Sequence, residues 1–395
     1  MIPVIKPALL LAAAMALPAS AYPRIGWETF LLGRNGCNLH GCCATDDGGM
    51  AAAGRIAELD SDLPMIYLVR IGPQGEVRWE RRVGWEASCF AWDVMQTGPD
   101  YTVCGELTTR EGDVDGFVMR FDPFGRELWR RQLGGPGRQR LRDIIPAAGG
   151  GCYLVGDNAA EQDSSRLWLL KLDAEGKTVW SREMSGSRSV TGWGGCLTPD
   201  SLLAVCGGSV DDMTLTMVDR DGNRRLHRSY DNAGGREYGR AIAASASGDL
   251  CLVGSSRNPG RYLLDVFVLA ADHGGDELWR RILGGEENDC AGSAAYVGDS
   301  LLLAYNTMSE GAGSYDAVLE IFSSSGERAE KMVVGGEGWD RVNDLEVGTD
   351  GRAFMVGCTG GQDSEMRQGW AVMMWVAADS ARVPEADDAK GGIAR

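Results

Sequence analysis

Short apolar segments separated by glycine-rich polar turns run along most of the chain. Residues 117–122 and 167–173 are typical, because apolar and polar side chains alternate along them. Between the segments lie turns such as Asp46 to Gly49 and Gly149 to Gly151. Alternation with a period of two, bounded by Gly and Asp, predicts short β-strands, and no segment shows a helical period. The pattern therefore predicts an all-β protein.

The strand pattern recurs with a period of about fifty residues. In each copy a turn is followed by a strand with a characteristic end position. That position holds tryptophan in five copies and another residue in the other two. These end positions are Trp27, Trp79, Trp129, Trp180, Leu226, Trp279 and Glu330. The first copy precedes the second by 52 residues, and the later copies are 50, 51, 46, 53 and 51 residues apart. One structural unit is therefore repeated seven times.

Each unit predicts four strands, which is the composition of a β-propeller blade. We therefore predict a seven-bladed β-propeller of four-stranded antiparallel blades over residues 22–380. The last unit lacks its own fourth strand, and the segment around Trp27 is expected to complete it and close the ring. Residues 381–395 are expected to form a disordered tail.

The repeat resembles two known groups. The pattern from Leu172 to Trp180 is similar to the tryptophan-docking repeat of quinoprotein dehydrogenases. The Gly-Gly turns, Val-Gly strand ends and Trp strands over residues 24–378 resemble the β-propeller repeat of bacterial exported proteins. Both resemblances imply a propeller fold and leave the function open, because propellers bind, scaffold and catalyse.

The quinoprotein resemblance implies a disulfide between adjacent cysteines beside a calcium-bound quinone. Cys42 and Cys43 are adjacent here, on a predicted innermost strand. The alternative is that the two thiols are unpaired and point to opposite faces of the strand. Quinoprotein propellers have eight blades, whereas this sequence predicts seven and shows no clear metal-ligand set. We therefore expect no cofactor and no metal.

Residues 1–21 read as a secretory signal peptide, with Lys6, an apolar stretch from Ala8 to Leu17 and a cleavage site near Ala21. The protein is expected to be secreted or periplasmic. A net charge of −17 argues against nucleic acid as a partner. No later segment is apolar over some 18 residues, so membrane insertion is not expected.

The chain has eleven cysteines, and export would expose them to oxidation. Their number is odd, so at least one stays free or pairs with another chain. Cys37 and Cys358 are a candidate disulfide, because ring closure would make their blades neighbours.

No nucleophile elbow, phosphate loop or His-based catalytic set is present, although a carboxylate pair stays open as catalytic machinery. The repeated tryptophans are interpreted as packing residues between blades. Asp122 and Asp173 are interpreted as turn formers. Asp113 and Asp115 have partial calcium-loop character, but the remaining loop ligands are missing.

The predicted innermost strands carry one position that varies when it should repeat. Across the seven units it holds His40, Trp92, Arg142, Trp193, Arg240, Ala291 and Asn343. The next position holds Gly41, Asp93, Asp143, Gly194, Ala241, Gly292 and Asp344. Innermost strands surround the central channel, so these positions predict a ligand site, although drift at semi-exposed positions is the alternative. The candidate ligand-binding residues are His40, Trp92, Asp93, Arg142, Asp143, Trp193, Arg240, Asn343 and Asp344.

Tryptophans would stack on a ligand, arginines would donate to it, and aspartates would accept or hold the arginines. These features favour a non-catalytic module that recognises a glycan or a protein partner at the channel mouth. Two alternatives are a carbohydrate-active hydrolase that uses a carboxylate pair and a quinoprotein-like oxidoreductase.

Overall fold

A computed structural model describes most of the predicted repeat region. The described residues are 23–33, 36–57, 63–85, 88–109, 112–159, 165–185, 189–232, 234–257, 262–360 and 367–376. The predicted signal peptide, residues 1–21, and the predicted tail, residues 381–395, lie outside them. Within the described ranges the regular elements are strands, and none is a helix that is long and apolar enough to cross a membrane.

Twenty-eight strands are formed within the described residues, and each is six to ten residues long. In chain order they are β1 (Arg24–Leu31), β2 (Cys37–Ala44), β3 (Met50–Ile56), β4 (Met65–Ile71), β5 (Val77–Val83), β6 (Ser88–Thr97), β7 (Asp100–Thr108), β8 (Val114–Phe121), β9 (Glu127–Leu133), β10 (Arg138–Pro146), β11 (Cys152–Ala159), β12 (Arg166–Leu172), β13 (Thr178–Met184), β14 (Thr191–Leu197), β15 (Leu203–Gly208), β16 (Met213–Val218), β17 (Arg224–Tyr230), β18 (Arg236–Ala244), β19 (Leu250–Arg257), β20 (Asp265–Ala271), β21 (Glu277–Leu283), β22 (Asp289–Val297), β23 (Ser300–Thr307), β24 (Asp316–Phe322), β25 (Arg328–Val334), β26 (Arg341–Val347), β27 (Arg352–Thr359) and β28 (Gln368–Trp375).

The strands pair antiparallel in sets of four, as the repeat predicts. Six sets are consecutive: set 1 (β2–β5), set 2 (β6–β9), set 3 (β10–β13), set 4 (β14–β17), set 5 (β18–β21) and set 6 (β22–β25). One parallel bridge, Arg138 to Val114, joins sets 2 and 3. In set 7 the order is β26, β27, β28 and β1, so the first strand of the chain pairs antiparallel with the last.

The first strand of each set lies next to the first strand of the following set, and β26 also lies next to β2. Third strands such as β20 are buried on both faces, whereas fourth strands such as β9 are largely exposed. The buried side chains of the described residues form seven apolar clusters, each shared by two neighbouring sets. The core therefore lies between sheets.

The repeated tryptophans pack one set against the next, which confirms their predicted role. The indole Nε1 of Trp79, on β5, donates to the carbonyl of Pro123 in the last turn of set 2 at 2.9 Å. Trp27, Trp180 and Trp279 donate in the same way to Pro73, Arg220 and Ser324, over 3.1, 2.9 and 3.0 Å. Each indole thus joins a fourth strand to the neighbouring sheet.

Glycine is required in the turns that these indole rings contact. Gly125 has a φ of +73°, and a Cβ built on it would lie 2.9 Å from Trp79 Cε3. Gly176 has a φ of +75°, and a Cβ there would lie 2.8 Å from the Trp129 ring. The turn aspartates support the same loops: Asp122 Oδ1 accepts the amides of Phe124 and Arg126. Asp122 is therefore a turn former, as predicted, and Asp173 has the same contacts with the amides of its own turn.

We expect Gly125→Ala to destabilise the protein more than Gly98→Ala. Both glycines have positive φ, so both substitutions cost about 1–2 kcal/mol of backbone strain. Only Gly125 faces an indole, since a Cβ on Gly98 meets nothing within 4 Å. The clash with Trp79 should add about 1–3 kcal/mol.

Chemical unfolding of the two variants measures the difference between them. Equal losses of unfolding free energy would show that the close approach of Trp79 to Gly125 does not contribute to the difference in stability.

Candidate functional site

A β-bulge interrupts the first strand of every set and defines the candidate site. The register shifts by one residue at each bulge, so that one side chain is left without a cross-strand partner. The bulged residues are His40, Trp92, Arg142, Trp193, Arg240, Gly292 and Asn343. The variable position of the sequence is thus the bulged residue, which lacks a cross-strand partner in all seven sets.

One assignment of the sequence alignment is wrong. Ala291 was placed at the variable position, but it pairs with Tyr305 and is buried, and Gly292 is the bulged residue. Consequently Ser293, and not Gly292, occupies the position equivalent to Asp93 and Asp344. The sequence around Ala291 and Gly292 is rich in alanine and glycine, so it does not reveal that the repeat is one residue longer before this strand than the alignment assumed.

The structure brings all nine candidate ligand-binding residues to one cavity. The cavity has a volume of about 120 Å³ and is lined by residues from the first strands of all seven sets. Its walls include His40, Trp92, Asp93, Arg142, Asp143, Trp193, Arg240, Asn343 and Asp344, together with Ser293 and Glu346. The alignment therefore predicted which side chains come together, from segments up to some 300 residues apart in the chain.

Arg142 is held from two sides at the centre of this cavity. Its guanidinium carbon lies 3.7 Å from the centroid of the Trp193 ring, and both Nε and Nη2 donate to Asp157 Oδ1 over 3.1 and 3.0 Å. Arg142 and Asp157 are both buried. Burial lowers the pKa of Arg142, and the charge of Asp157 opposes that shift. Sequence reasoning missed Asp157 because it lies on β11, outside the innermost strands.

Arg240 and Asn343 bind backbone groups of the same wall. Arg240 donates from Nε to the Gly292 carbonyl at 3.1 Å and from Nη2 to the Asn343 carbonyl at 3.3 Å. Burial lowers the pKa of Arg240 to about 10, and Arg341 is the next cause. The Asn343 amide nitrogen donates to the Leu39 carbonyl at 2.6 Å. These contacts link sets 5, 6, 7 and 1.

Two ring nitrogens in the cavity lack a hydrogen-bond partner. Trp92 Nε1 and His40 Nε2 are both buried and unpaired. The rings are 4.8 Å apart, edge to face, and Trp92 also lies 6.3 Å from Trp193 in a T-shaped arrangement. Burial lowers the pKa of His40 to about 3, followed by the effects of Arg55 and Arg240, so the imidazole is neutral at pH 7. Buried unpaired polar groups are uncommon in native proteins, and a bound ligand or water is one explanation for them.

The aspartates of the cavity join neighbouring sets through backbone amides. Asp143 Oδ2 accepts the amide of Gly195 at 2.5 Å, and Asp93 Oδ2 accepts the amide of Ile144 at 3.2 Å. Asp344 Oδ2 accepts the amide of Cys42 at 2.9 Å, which links set 7 to set 1. The expectation that these aspartates hold the arginines is wrong, because Arg142 binds Asp157 and Arg240 binds carbonyls.

Three carboxyl groups around the channel have raised pKa values. The pKa of Asp93 is raised well above its usual range, first by burial and then by Asp143, whose carboxylate it hydrogen-bonds. Burial also raises the pKa of Asp143. The pKa of Glu346 is raised to about 8 by burial of the carboxyl group among its neighbours and then by Asp344 and Asp143, although the residue as a whole is exposed. At neutral pH the channel therefore holds less negative charge than its sequence implies.

A second, wider cavity of about 530 Å³ lies beyond these carboxyl groups. Asp93, Asp143 and Glu346 line both cavities, and the wide one continues to apolar side chains such as Met95, Ile145 and Leu197. Glu346 was missed in the sequence. It lies three positions after the bulge, where the other sets carry Cys43, Met95, Ile145, Cys196, Ala243 and Ala295. Glu346 is the one charged residue at a position that is apolar in the other six sets, and this contrast could have identified it from the sequence.

All eleven cysteines are described and all are free thiols. Cys42 packs in the cluster between sets 7 and 1, whereas Cys43 packs against the cluster between sets 1 and 2. This separation agrees with opposite faces of β2 and with no bond between the two residues. Cys37 and Cys358 are both buried and are not joined in the structure.

Solved structures similar to this chain are β-propellers. The polysaccharide lyase Uly1 superposes with a TM-score of 0.55 at 10% identity, covering 92% of this chain and 94% of that chain. The Neurospora crassa Pan2 WD40 domain gives 0.53 at 10% identity, with 87% and 95% covered. The β-propeller domain of the Trilobed protease from Pyrococcus furiosus gives 0.51 at 11% identity, with 88% and 94% covered.

These likenesses show the fold alone, because the identities are so low. This chain is therefore a β-propeller, built from repeated four-stranded antiparallel sheets. No family model and no curated protein sequence matches it. The two repeat resemblances consequently gain no support at the level of sequence families.

We expect Glu346→Gln to change how stability depends on pH. A glutamate ionises near pH 4.3 when unfolded and near pH 8 here, so the native state binds more protons between these values. The stabilisation from Glu346 is complete below about pH 4.3 and is lost as the pH rises to about 8. The variant should therefore gain melting temperature relative to the parent across that window.

Melting curves between pH 4 and 9 measure this effect. Glu175→Gln, at an exposed turn, is the control and should run parallel to the parent. A Glu346→Gln curve that is also parallel to the parent would contradict the raised pKa.

Proposed function

We propose that this chain is an exported seven-bladed propeller whose ring is closed by β1 and whose central channel recognises a ligand. Twenty-eight strands in the described residues fit seven blades of four. The seven shared apolar clusters and the pairing of β1 with β28 support closure. Export rests on the signal-peptide pattern of residues 1–21.

Closure predicts the effect of removing β1. Deletion of residues 22–34 takes away the strand that covers β28 and the Trp27 contact with set 1. An unpaired sheet edge would then be exposed, so the truncated protein should aggregate or unfold without cooperativity. Size-exclusion chromatography and thermal melting measure both effects.

Deletion of residues 381–395 is the matched control and should leave both properties unchanged. A monomeric β1 deletion with the parent's melting temperature would overturn ring closure.

The observation that carries ligand recognition is the pair of unpaired ring nitrogens, Trp92 Nε1 and His40 Nε2, in a cavity lined by seven strands. Most other polar groups there are already bound within the protein, including the guanidiniums of Arg142 and Arg240. A ligand would therefore meet aromatic and imidazole groups that offer hydrogen bonds, beside the guanidiniums of Arg142 and Arg240, which already donate to protein oxygens. Hydroxyl groups of a glycan, or a polar side chain of a partner protein, match this chemistry.

Binding is tested with Trp92→Phe, which keeps an aromatic ring and removes only the indole N–H. A glycan array and a pull-down identify the ligand, and titration calorimetry then compares the variants. We expect Trp92→Phe and Trp193→Ala to weaken binding by about 30-fold, which corresponds to about 2 kcal/mol.

Trp339→Phe is the matched control, because Trp339 Nε1 is also buried and unpaired but lies outside both cavities. It should bind as the parent does. Parental affinity in Trp92→Phe, Trp193→Ala and Arg142→Ala variants that remain folded would place recognition elsewhere.

A carbohydrate-active hydrolase is the second candidate, and the raised pKa of Glu346 favours it. A carboxyl group that keeps its proton near neutral pH can act as a general acid. Asp93 and Asp143 are poor candidates for the pair, because they hydrogen-bond each other and glycosidase carboxyls stand at least about 5 Å apart. Turnover of glycosides that is lost in Glu346→Gln would favour this candidate. The oxidoreductase candidate rests on the adjacent residues Cys42 and Cys43, whose thiols are not joined to each other.

A further inference from the structure

Three carboxylates converge outside the channel, at the junction of sets 4 and 5. Asp212 belongs to the turn between β15 and β16, Asp231 follows β17, and Glu237 lies on β18. One oxygen of each lies within 4.8 Å of the others. Among the described residues no other group of three potential ligands is so close. Three separate segments thus bring negative charge to one point.

Glu237 shows that this point is unusual. Its side chain is fully buried, and Oε1 accepts a hydrogen bond from Ser256 Oγ at 2.8 Å. Oε2 is buried and has no hydrogen-bond partner. A buried carboxylate oxygen without a donor carries a large desolvation cost, which a bound cation would remove. The Glu237 carboxylate lies within 4.8 Å of those of Asp212 and Asp231, so the cost rises further through like-charge repulsion.

Within the part of the chain that the structure describes, no other junction brings three such carboxylates together. Between sets 6 and 7, Asp316 and Asp340 approach each other beside Gly335, and turn amides satisfy them: Gly313 donates to Asp316 Oδ2 and Gly336 to Asp340 Oδ2. Asp340 Oδ1 also accepts a hydrogen bond from Thr359 Oγ1. A pair of acidic residues therefore also occurs at the junction of sets 6 and 7, and Asp231 adds a third carboxylate at the junction of sets 4 and 5.

Neighbouring contacts orient this added carboxylate and leave its charge available. Arg280 Nη1 donates to the backbone carbonyl of Asp231 at 2.8 Å, while the rest of its guanidinium pairs with Glu277. The amide of Gly234 donates to Asp231 Oδ1 at 2.8 Å. Arg280 thus fixes the loop through the Asp231 backbone, while its ion pair among the described residues is with Glu277.

We propose that Asp212, Asp231 and Glu237 bind a calcium ion that connects sets 4 and 5. Calcium binds oxygens at 2.3–2.6 Å, so two ligands of one ion stand at most about 5 Å apart, which accommodates the 4.8 Å spread. Magnesium, at 2.0–2.1 Å, spans at most about 4.2 Å and demands octahedral geometry. Three carboxylates leave several of the six to eight positions of calcium to carbonyls and water.

The site is independent of the proposed channel function. Its expected affinity is that of extracellular calcium modules, with a Kd of about 0.1–1 mM, because the ligands are few and two of them are on turns. Binding only to the folded state raises the melting temperature with calcium concentration.

The test uses the full mature chain, freed of metal with EDTA and dialysed. Calorimetric titration with CaCl₂ should show one site, and the melting temperature should rise in 5 mM CaCl₂ more than in 5 mM MgCl₂. Glu237→Gln keeps the bond with Ser256 and removes the charge, so the affinity should fall at least tenfold. Asp231→Asn should do the same, and Asp231 is exposed, so this variant tests the site even if Glu237→Gln fails to fold.

Asp265→Asn is the matched control, because Asp265 occupies in set 5 the position that Asp212 occupies in set 4. It should bind calcium as the parent does. Three results would overturn the site: no heat and no melting shift in the parent at 5 mM CaCl₂, parental affinity in Asp231→Asn, or equal loss in Asp265→Asn.

Discussion

The docking of an indole on a glycine turn is the contact on which the architecture depends. Each sheet of this protein is narrow and has no core of its own, so its buried faces need neighbours. The tryptophan of one fourth strand reaches the last turn of the next sheet, where glycine leaves room for it. The arginine two residues later completes the contact: Arg81 lies over Trp79 and donates to the Gly125 carbonyl at 2.7 Å. Spacing between sheets is therefore set at the periphery, far from the channel.

The channel uses a second repeated device, the bulge, and gives it a different residue in each sheet. A bulge frees one side chain from the pairing pattern, so that position tolerates variation that a regular strand position does not. The bulge side chains then contact one another, as Arg142 does with Trp193, and form a surface that no single sheet carries. The aspartates one position later bind amides of the next sheet, so structural and variable positions alternate along the same strand.

The sequence predicted the parts of this protein that repeat, and it was less informative where repetition is broken. Turn glycines and tryptophans recur at fixed spacing, which made the strands, their grouping and the role of Trp79 accessible. The bulge column was also found, except at Gly292, because a one-residue shift leaves no mark among small residues. Asp157 and Glu346 were missed, since their importance comes from contacts across sheets. The grouping of Asp212, Asp231 and Glu237 depends on two turns and a strand whose approach only the folded chain reveals.

The junction of sets 4 and 5 differs from most others in one further respect. Leu226 stands there in place of the docking tryptophan and contacts Gly275, with support from Tyr230, whose hydroxyl donates to the Gly275 carbonyl at 2.7 Å. A leucine covers less area than an indole and carries no N–H for the opposing turn. This junction, together with the one after set 6 where Glu330 replaces the tryptophan, is therefore where amide protons should exchange fastest with solvent. Two sheets would separate locally at these junctions before the protein unfolds as a whole.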